Sequence, residues 1–133
     1  MTTSLFKLPA KERIKSRSLF DLLFESGKGL RQHPIRMVWL SSPFNPKNPV
    51  RIAVGVPKKN MRKAVHRNRM KRLMREAYRL NKAPLIELAS KQQKGFSIMF
   101  IAQVNAPLEF AETQEKIILL LQRLITLHAQ PSK

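Results

Sequence analysis

Residues 58–79, KKNMRKAVHRNRMKRLMREAYR, limit what this chain can fold into more than any other stretch. They hold ten basic residues: Lys58, Lys59, Arg62, Lys63, Arg67, Arg69, Lys71, Arg72, Arg75 and Arg79. Glu76 is the only acid among them. Read at about 100° per residue from Lys63, the residues Met70, Leu73, Met74, Ala77 and Leu80 fall on one side. Asn68, Lys71, Arg72, Arg75 and Arg79 fall on the other. The pattern predicts an amphipathic helix with an apolar back and a cationic front. Such a helix of about 18 residues is roughly 27 Å long, enough to cross several phosphates.

A solvated charged face is the plain alternative, but such a face normally mixes signs to gain i,i+4 pairs. This one hardly does, so repulsion along it calls for an anionic partner. Asn68 sits among arginines where charge alone requires no amide and directional hydrogen bonding does. Nucleic acid is the anion that best fits both features.

The rest of the composition agrees. The net charge is +18 over 133 residues, with a hydrophobic fraction of 43%. That describes one folded basic domain spanning residues 1–133, not a basic arm on a neutral body. Residues 1–15 read as a basic N-terminal extension and 129–133 as a tail. Charge alone does not separate RNA from DNA or an acidic membrane. The absence of cysteine excludes disulfides, a thiol nucleophile and Cys-type zinc sites. The N-terminus lacks the apolar run of a secretory signal, and no segment approaches the ~20 apolar residues of a membrane span. A cytoplasmic protein is expected.

Along the chain, Ser16 or Ser18 can cap a short helix running to about Ser26 and ended by Gly27. Leu19, Leu22 and Leu23 group on one side of it, and Phe20 and Phe24 form an adjacent aromatic flank. The two rings can be core or can be open for stacking. Lys28–Arg31 begins a strand. Ile35–Ser41 is a firmer one, with Ile35, Met37 and Trp39 on one face and Arg36, Val38 and Leu40 on the other. Residues 42–49 read as a turn, and Val50–Val56 as a β-branched strand. Pro84 breaks the basic helix, and Leu85–Ala89 adds a helical turn. Phe96–Ala102 is apolar on both faces and reads as a central strand. Pro107 and Glu109 begin a last helix, with Phe110, Ile117, Leu121, Leu124, Ile125 and His128 on its apolar face and Leu119 pointing away. The order α-β-β-β-α-β-α predicts an α+β domain, a small mixed four-stranded sheet with three helices.

Catalytic groups are hard to find. The eight acids show no D-x-D or similar metal spacing, and two-metal phosphodiester cleavage needs a carboxylate cluster. The three histidines, His33, His66 and His128, form no evident acid–base pair. The four glycines build no phosphate loop. No protein-bound metal or cofactor is expected. The residues describe a basic binder rather than a protein nuclease.

The core of the basic stretch, Lys63-Ala64-Val65-His66-Arg67-Asn68-Arg69-Met70-Lys71-Arg72, resembles the Arg-Asn-Arg signature of the bacterial ribonuclease P protein subunit. The flanking order fits as well, and the resemblance spans about residues 10 to 128. It implies a ribosomal S5-type fold with a left-handed βαβ crossover. It also implies a holoenzyme, an endonuclease in which a large RNA with magnesium, held mainly by RNA, removes the 5′ leader from precursor tRNA. The protein would bind that RNA one to one and would bind the leader. No DNA or membrane partner is implied. By the resemblance, Arg62, Lys63, Arg67, Asn68, Arg69, Lys71, Arg72, Arg75 and Arg79 contact the catalytic RNA. Phe20, Phe24, Arg36, Val38, Lys58 and Lys59 line the leader path, with Lys58 and Lys59 ending a strand. A third aromatic of that path falls near Val38, and Trp39 is one place off. A structural, ribosomal-type RNA-binding protein is the competing reading. A helix-turn-helix DNA regulator is disfavoured by the strands around the basic helix.

Overall fold

The computed structural model describes residues 12–14 and 17–129. In chain order the elements are α1 (Arg17–Ser26), β1 (Lys28–Gln32), β2 (Ile35–Ser42), β3 (Val50–Gly55), α2 (Ala64–Asn81), α3 (Ala83–Gln92), β4 (Gly95–Ala102) and α4 (Phe110–Ala129). The strands form one sheet in the order β1-β2-β4-β3. β1 and β2 are antiparallel, as are β2 and β4, while β3 and β4 run parallel. A parallel pair needs a crossover, and α2 and α3 supply it. β4 lies between two neighbours and is buried along its whole length, which is why Phe96–Ala102 carries no polar alternation.

Alternation along the strands divides the core in two. On the back face Ile35, Met37, Trp39, Ile52, Phe96, Ile98 and Phe100 pack against Met70, Met74 and Tyr78 of α2, Leu85 of α3, and Ile117, Leu121 and Leu124 of α4. On the front face Val38, Ala53, Met99 and Ile101 are covered by Leu23 of α1 and by Ile14. The sheet therefore sits between α1 on one face and α2, α3 and α4 on the other.

Several expectations change. The helical turn at Leu85–Ala89 is a full helix, making four helices among the described residues instead of three. Pro84 does not end the helical run: it stands in the first turn of α3, where a missing N–H costs nothing. Lys82 separates α2 from α3, and Gln93 closes α3 in a left-handed conformation with φ 53°. Leu80 is 53% exposed, and Tyr78 is buried in its place. The two residues border opposite sides of the apolar arc, and the sheet with Phe100 lies on the Tyr78 side. Leu22 is likewise exposed, leaving Leu23 as the anchor of α1. β3 ends at Gly55, so Lys58 and Lys59 stand in a turn after Pro57 and not at a strand end. Ser18 lies inside α1 and does not cap it, while Ser16 lies outside the described residues.

The expected extension at residues 1–15 is folded where it is described. Arg13 bridges Ile52 of β3, and the Ile14 N–H donates to the Ile52 carbonyl at 2.8 Å. Glu12 pairs with Lys82 at 2.7 Å. Residues 1–11, 15, 16 and 130–133 lie outside the described residues, and α4 runs through Ala129, where the tail was expected to begin.

Two glycines test the packing. A Cβ on Gly95 would stand 2.5 Å from the Pro43 carbonyl oxygen and 2.6 Å from that of Ser42. A Cβ on Gly29 would meet nothing closer than the Met37 carbonyl oxygen at 3.8 Å. Gly95→Ala is expected to lower stability by about 1–3 kcal/mol. Gly29→Ala should stay within about 0.5 kcal/mol. Urea denaturation of the pair checks this, and equal midpoints would contradict the register at the start of β4.

Candidate nucleic-acid interface

The back of α2 is set by Met70, Met74, Ala77 and Tyr78, all fully buried. That burial turns Asn68, Arg69 and Arg72 to solvent and leaves Lys71, Arg75 and Arg79 half-buried along the flanks. Arg62 and Lys63 are exposed just ahead of the helix. Among the described residues the side chains of Arg62, Lys63, Arg69, Lys71 and Arg72 take part in no hydrogen bond or ion pair. The helix begins without a side-chain cap and without an acid in its first turn. Its positive dipole end thus adds to the charge of Lys58, Lys59, Arg62 and Lys63 instead of being neutralised. Unused backbone N–H groups and cations at one pole form a surface suited to phosphate.

Arg67 differs from the other cations of the motif. Its Nη1 donates to the Met61 carbonyl at 3.0 Å and to the Arg62 carbonyl at 2.6 Å. Part of its guanidinium is spent inside the protein.

A second feature lies at the outer edge of β3, between α1 and α2. Arg13, Ile14, Phe20, Ile52, Ala53, Val54 and Arg75 line a cleft of about 100 Å³. Burial of the Arg75 guanidinium pushes its pKa below the usual arginine value, and the charge of Arg13 pushes in the same direction. An anion placed between the two relieves both effects. Sequence reasoning missed Arg13. It stands in a run of charges, KERIK, with a single apolar residue, and no periodicity there signals a strand-edge contact.

The residues expected on a leader path are only partly brought together. Phe20 is half-buried against the front-face cluster and reaches the cleft, while Phe24 is 63% exposed. Arg36 is exposed on β2, and Lys58 and Lys59 are exposed in the turn after Pro57. Val38 is a correction. It is only 4% exposed, lies under α1, and sits so close to Gly27 that a Cβ there would collide with it. Trp39 faces the opposite side, edge-on to Phe96 at 6.1 Å and to His128 at 4.8 Å, with the Lys28 Nζ 5.5 Å from its ring. Neither position presents an open third ring, because both side chains are needed by the two halves of the core.

His128 is a packing residue: its Nδ1 lies 3.1 Å from the Leu124 carbonyl oxygen, and its ring contacts Phe96 at 4.9 Å. Among the described residues no group of three His, Cys, Asp or Glu side chains could hold a metal ion. No described helix is long and apolar enough to cross a membrane.

Comparison with known proteins bears on the family and the fold. A family model described as Ribonuclease P matches residues 8–125. The chain is 38% identical over 96 residues to the ribonuclease P protein component of Porphyromonas gingivalis, covering 72% of this chain and 70% of that one. Among solved structures, the RNase P protein from Thermotoga maritima superposes with a TM-score of 0.67 at 29% identity, covering 84% of this chain and 96% of that one. The Staphylococcus aureus RNase P protein superposes with a TM-score of 0.64 at 20% identity, covering 88% and 97%, and bears on the fold alone.

The unequal setting of the two phenylalanines makes a prediction. Phe24→Ala should change stability by no more than about 0.5 kcal/mol. Phe20→Ala should cost more than about 1 kcal/mol, short of the full cost of emptying a core site. Thermal unfolding of both variants reads the difference, and matching losses would show that the rings share one environment.

Proposed function

The chain belongs to the Ribonuclease P protein family, and on that premise we propose how it works within the holoenzyme. It is an RNA-binding protein component of ribonuclease P, an enzyme of tRNA processing. In this reading the front of α2 and the turn before it bind the catalytic RNA, through Arg62, Lys63, Asn68, Arg69, Lys71, Arg72 and the half-buried Arg75 and Arg79. The adjoining surface takes the single-stranded 5′ leader of precursor tRNA. Phe24 offers an open ring for base stacking, Phe20 and Arg75 line the cleft beside it, and Lys58, Lys59 and Arg36 follow the backbone.

The observation that carries this reading is the row of Arg69, Lys71 and Arg72 on α2, which have no internal partner among the described residues while the back of the helix is locked in the core. Such a row gains most from a regular polyanion, whose released counterions drive binding. Cleavage itself is assigned to the RNA with its magnesium, in the cytoplasm. The protein's share is affinity: it holds the RNA and the leader together and broadens the set of leaders accepted, since stacking and phosphate contacts tolerate most sequences.

Two outcomes are expected. Purified protein with precursor tRNA and magnesium, but no RNA subunit, should yield no mature 5′ ends; product scaling with protein dose would overturn the division of labour. In the reconstituted holoenzyme, Phe24→Ala should weaken binding of precursor tRNA by about 1–3 kcal/mol, the worth of one stacked base. Binding of tRNA lacking its leader should not change. Equal losses for both substrates would remove Phe24 from the leader path.

A further inference from the structure

The segment between β3 and α2 poses a physical problem. It packs Lys58, Lys59, Arg62 and Lys63 into six positions, all exposed. Like charges so close repel, and among the described residues no carboxylate pairs with them. The segment nevertheless has a defined path. The N–H groups of Asn60 and Met61 donate to the Pro57 carbonyl at 3.2 and 3.3 Å, and the Met61 side chain is 2% exposed in the back core. After Met61 the chain must turn into a helix whose first residue has no side-chain cap.

Arg67 closes that gap. It lies one helical turn inside α2, and its backbone N–H donates to the Lys63 carbonyl at 3.1 Å. Its side chain folds back towards the helix start, so that Nη1 reaches the Met61 carbonyl at 3.0 Å and the Arg62 carbonyl at 2.6 Å. A terminal guanidinium nitrogen has two hydrogens, and each finds one carbonyl. Both bonds leave one nitrogen, so reach decides the pairing: the lysine stem is one bond shorter, and its ammonium stops short of the two carbonyls. The carbonyls so held belong to the buried anchor, Met61, and to the first cation ahead of the helix, Arg62.

We infer that Arg67 is a positioning residue: it pins the Met61 and Arg62 carbonyls and so fixes the basic segment, Lys58 to Lys63, as one rigid phosphate-binding edge. The inference rests on the proposed reading that this segment and α2 meet RNA. It gives Arg67 a different role from the one the resemblance implies: not one RNA contact among several, but the support of others. Nη2 and Nε remain for RNA, so the residue serves both sides of the interface.

The two roles give different salt dependences. Losing one phosphate contact lowers the slope of log K against log [salt] by about 0.7–0.9. Arg69→Ala, which removes an exposed cation with no internal partner, should do only that. Arg67→Ala should lower the slope by about 1.5 or more, because cations it never touches lose their register. Arg67→Lys keeps the charge, yet should resemble Arg67→Ala. A second readout needs no RNA. Limited trypsin digestion of the free protein, mapped by mass spectrometry, should show cleavage after Lys58, Lys59 and Arg62 rising several-fold in both Arg67 variants and staying at the parent rate in Arg69→Ala. Circular dichroism confirms that each variant is folded; if Arg67→Ala is not, Arg67→Lys carries the comparison. The inference is overturned if Arg67→Lys restores the parental slope and digestion rate, or if Arg67→Ala matches Arg69→Ala in both. Should RNA binding by the unsubstituted protein prove insensitive to salt, the proposed reading fails. The digestion result then decides the role of Arg67 by itself.

Discussion

Everything on this molecule's working surface depends on one helix being held from behind. α2 carries a row of cations that repel one another, with Glu76 the one acid on the helix. Left alone, such a helix would fray. Its back supplies the restraint: Met70, Met74, Ala77 and Tyr78 are buried against the sheet and α4. Burying each large apolar side chain contributes about 1.5–3 kcal/mol. That outweighs the repulsion between solvated charges, each pair worth about 1 kcal/mol at close range in water. The repulsion remains as stored electrostatic energy, released when an anion arrives. A partner that binds only the folded array therefore also stabilises the fold.

The sheet gives the helix its place. β3 and β4 are parallel neighbours, so the chain must leave β3, cross the back face and return. The departure puts the turn with Lys58, Lys59 and Arg62 at one end of the sheet, directly before the uncapped positive pole of α2. The edge of β3 is closed by Arg13 and Ile14, and α1 lies over the front face. The two faces of the sheet thus do different work. The back is a dry core, and the front is a thin layer whose margin still exposes Phe24 and Arg36. The small cleft joining Phe20, Arg13 and Arg75 lies where the two regions meet.

Much of this was legible in the sequence, for physical reasons that also explain what was not. The basic helix declared itself because its apolar and cationic residues follow a 3.6-residue period, and β4 because FSIMFIA, with Ser97 its only polar residue, shows no polar alternation. The family likeness came from the Arg-Asn-Arg core and gave the right class of fold. α3 was underestimated because Pro84 reads as a breaker, when at a helix start it is harmless. Val38 was placed by counting along a strand, and counting does not reveal that α1 lies on top of it. Phe20 and Phe24 share a helix flank in any projection, yet only contact with the sheet separates a half-buried ring from an open one. Arg67 looked like its neighbours because a side chain that folds back onto preceding carbonyls leaves no trace in spacing. Arg13 was invisible for a different reason: its neighbours Ile52 and Arg75 are more than thirty residues away in sequence.

The central claim is that binding is driven by an ordered array on α2 and not by the overall charge of +18. It is tested most directly by removing the same charge from two places. In one variant Arg69, Lys71 and Arg72 become alanine. In the other Lys47, Lys91 and Lys94 do, at the opposite end of the sheet where β3 and β4 begin. The salt dependence of affinity for the RNA subunit is then measured for both and for the parent protein. The account predicts that the first variant loses about 2 units of slope, while the second keeps the parental slope. Equal losses in the two variants would mean that the RNA responds to net charge alone, and would contradict the account.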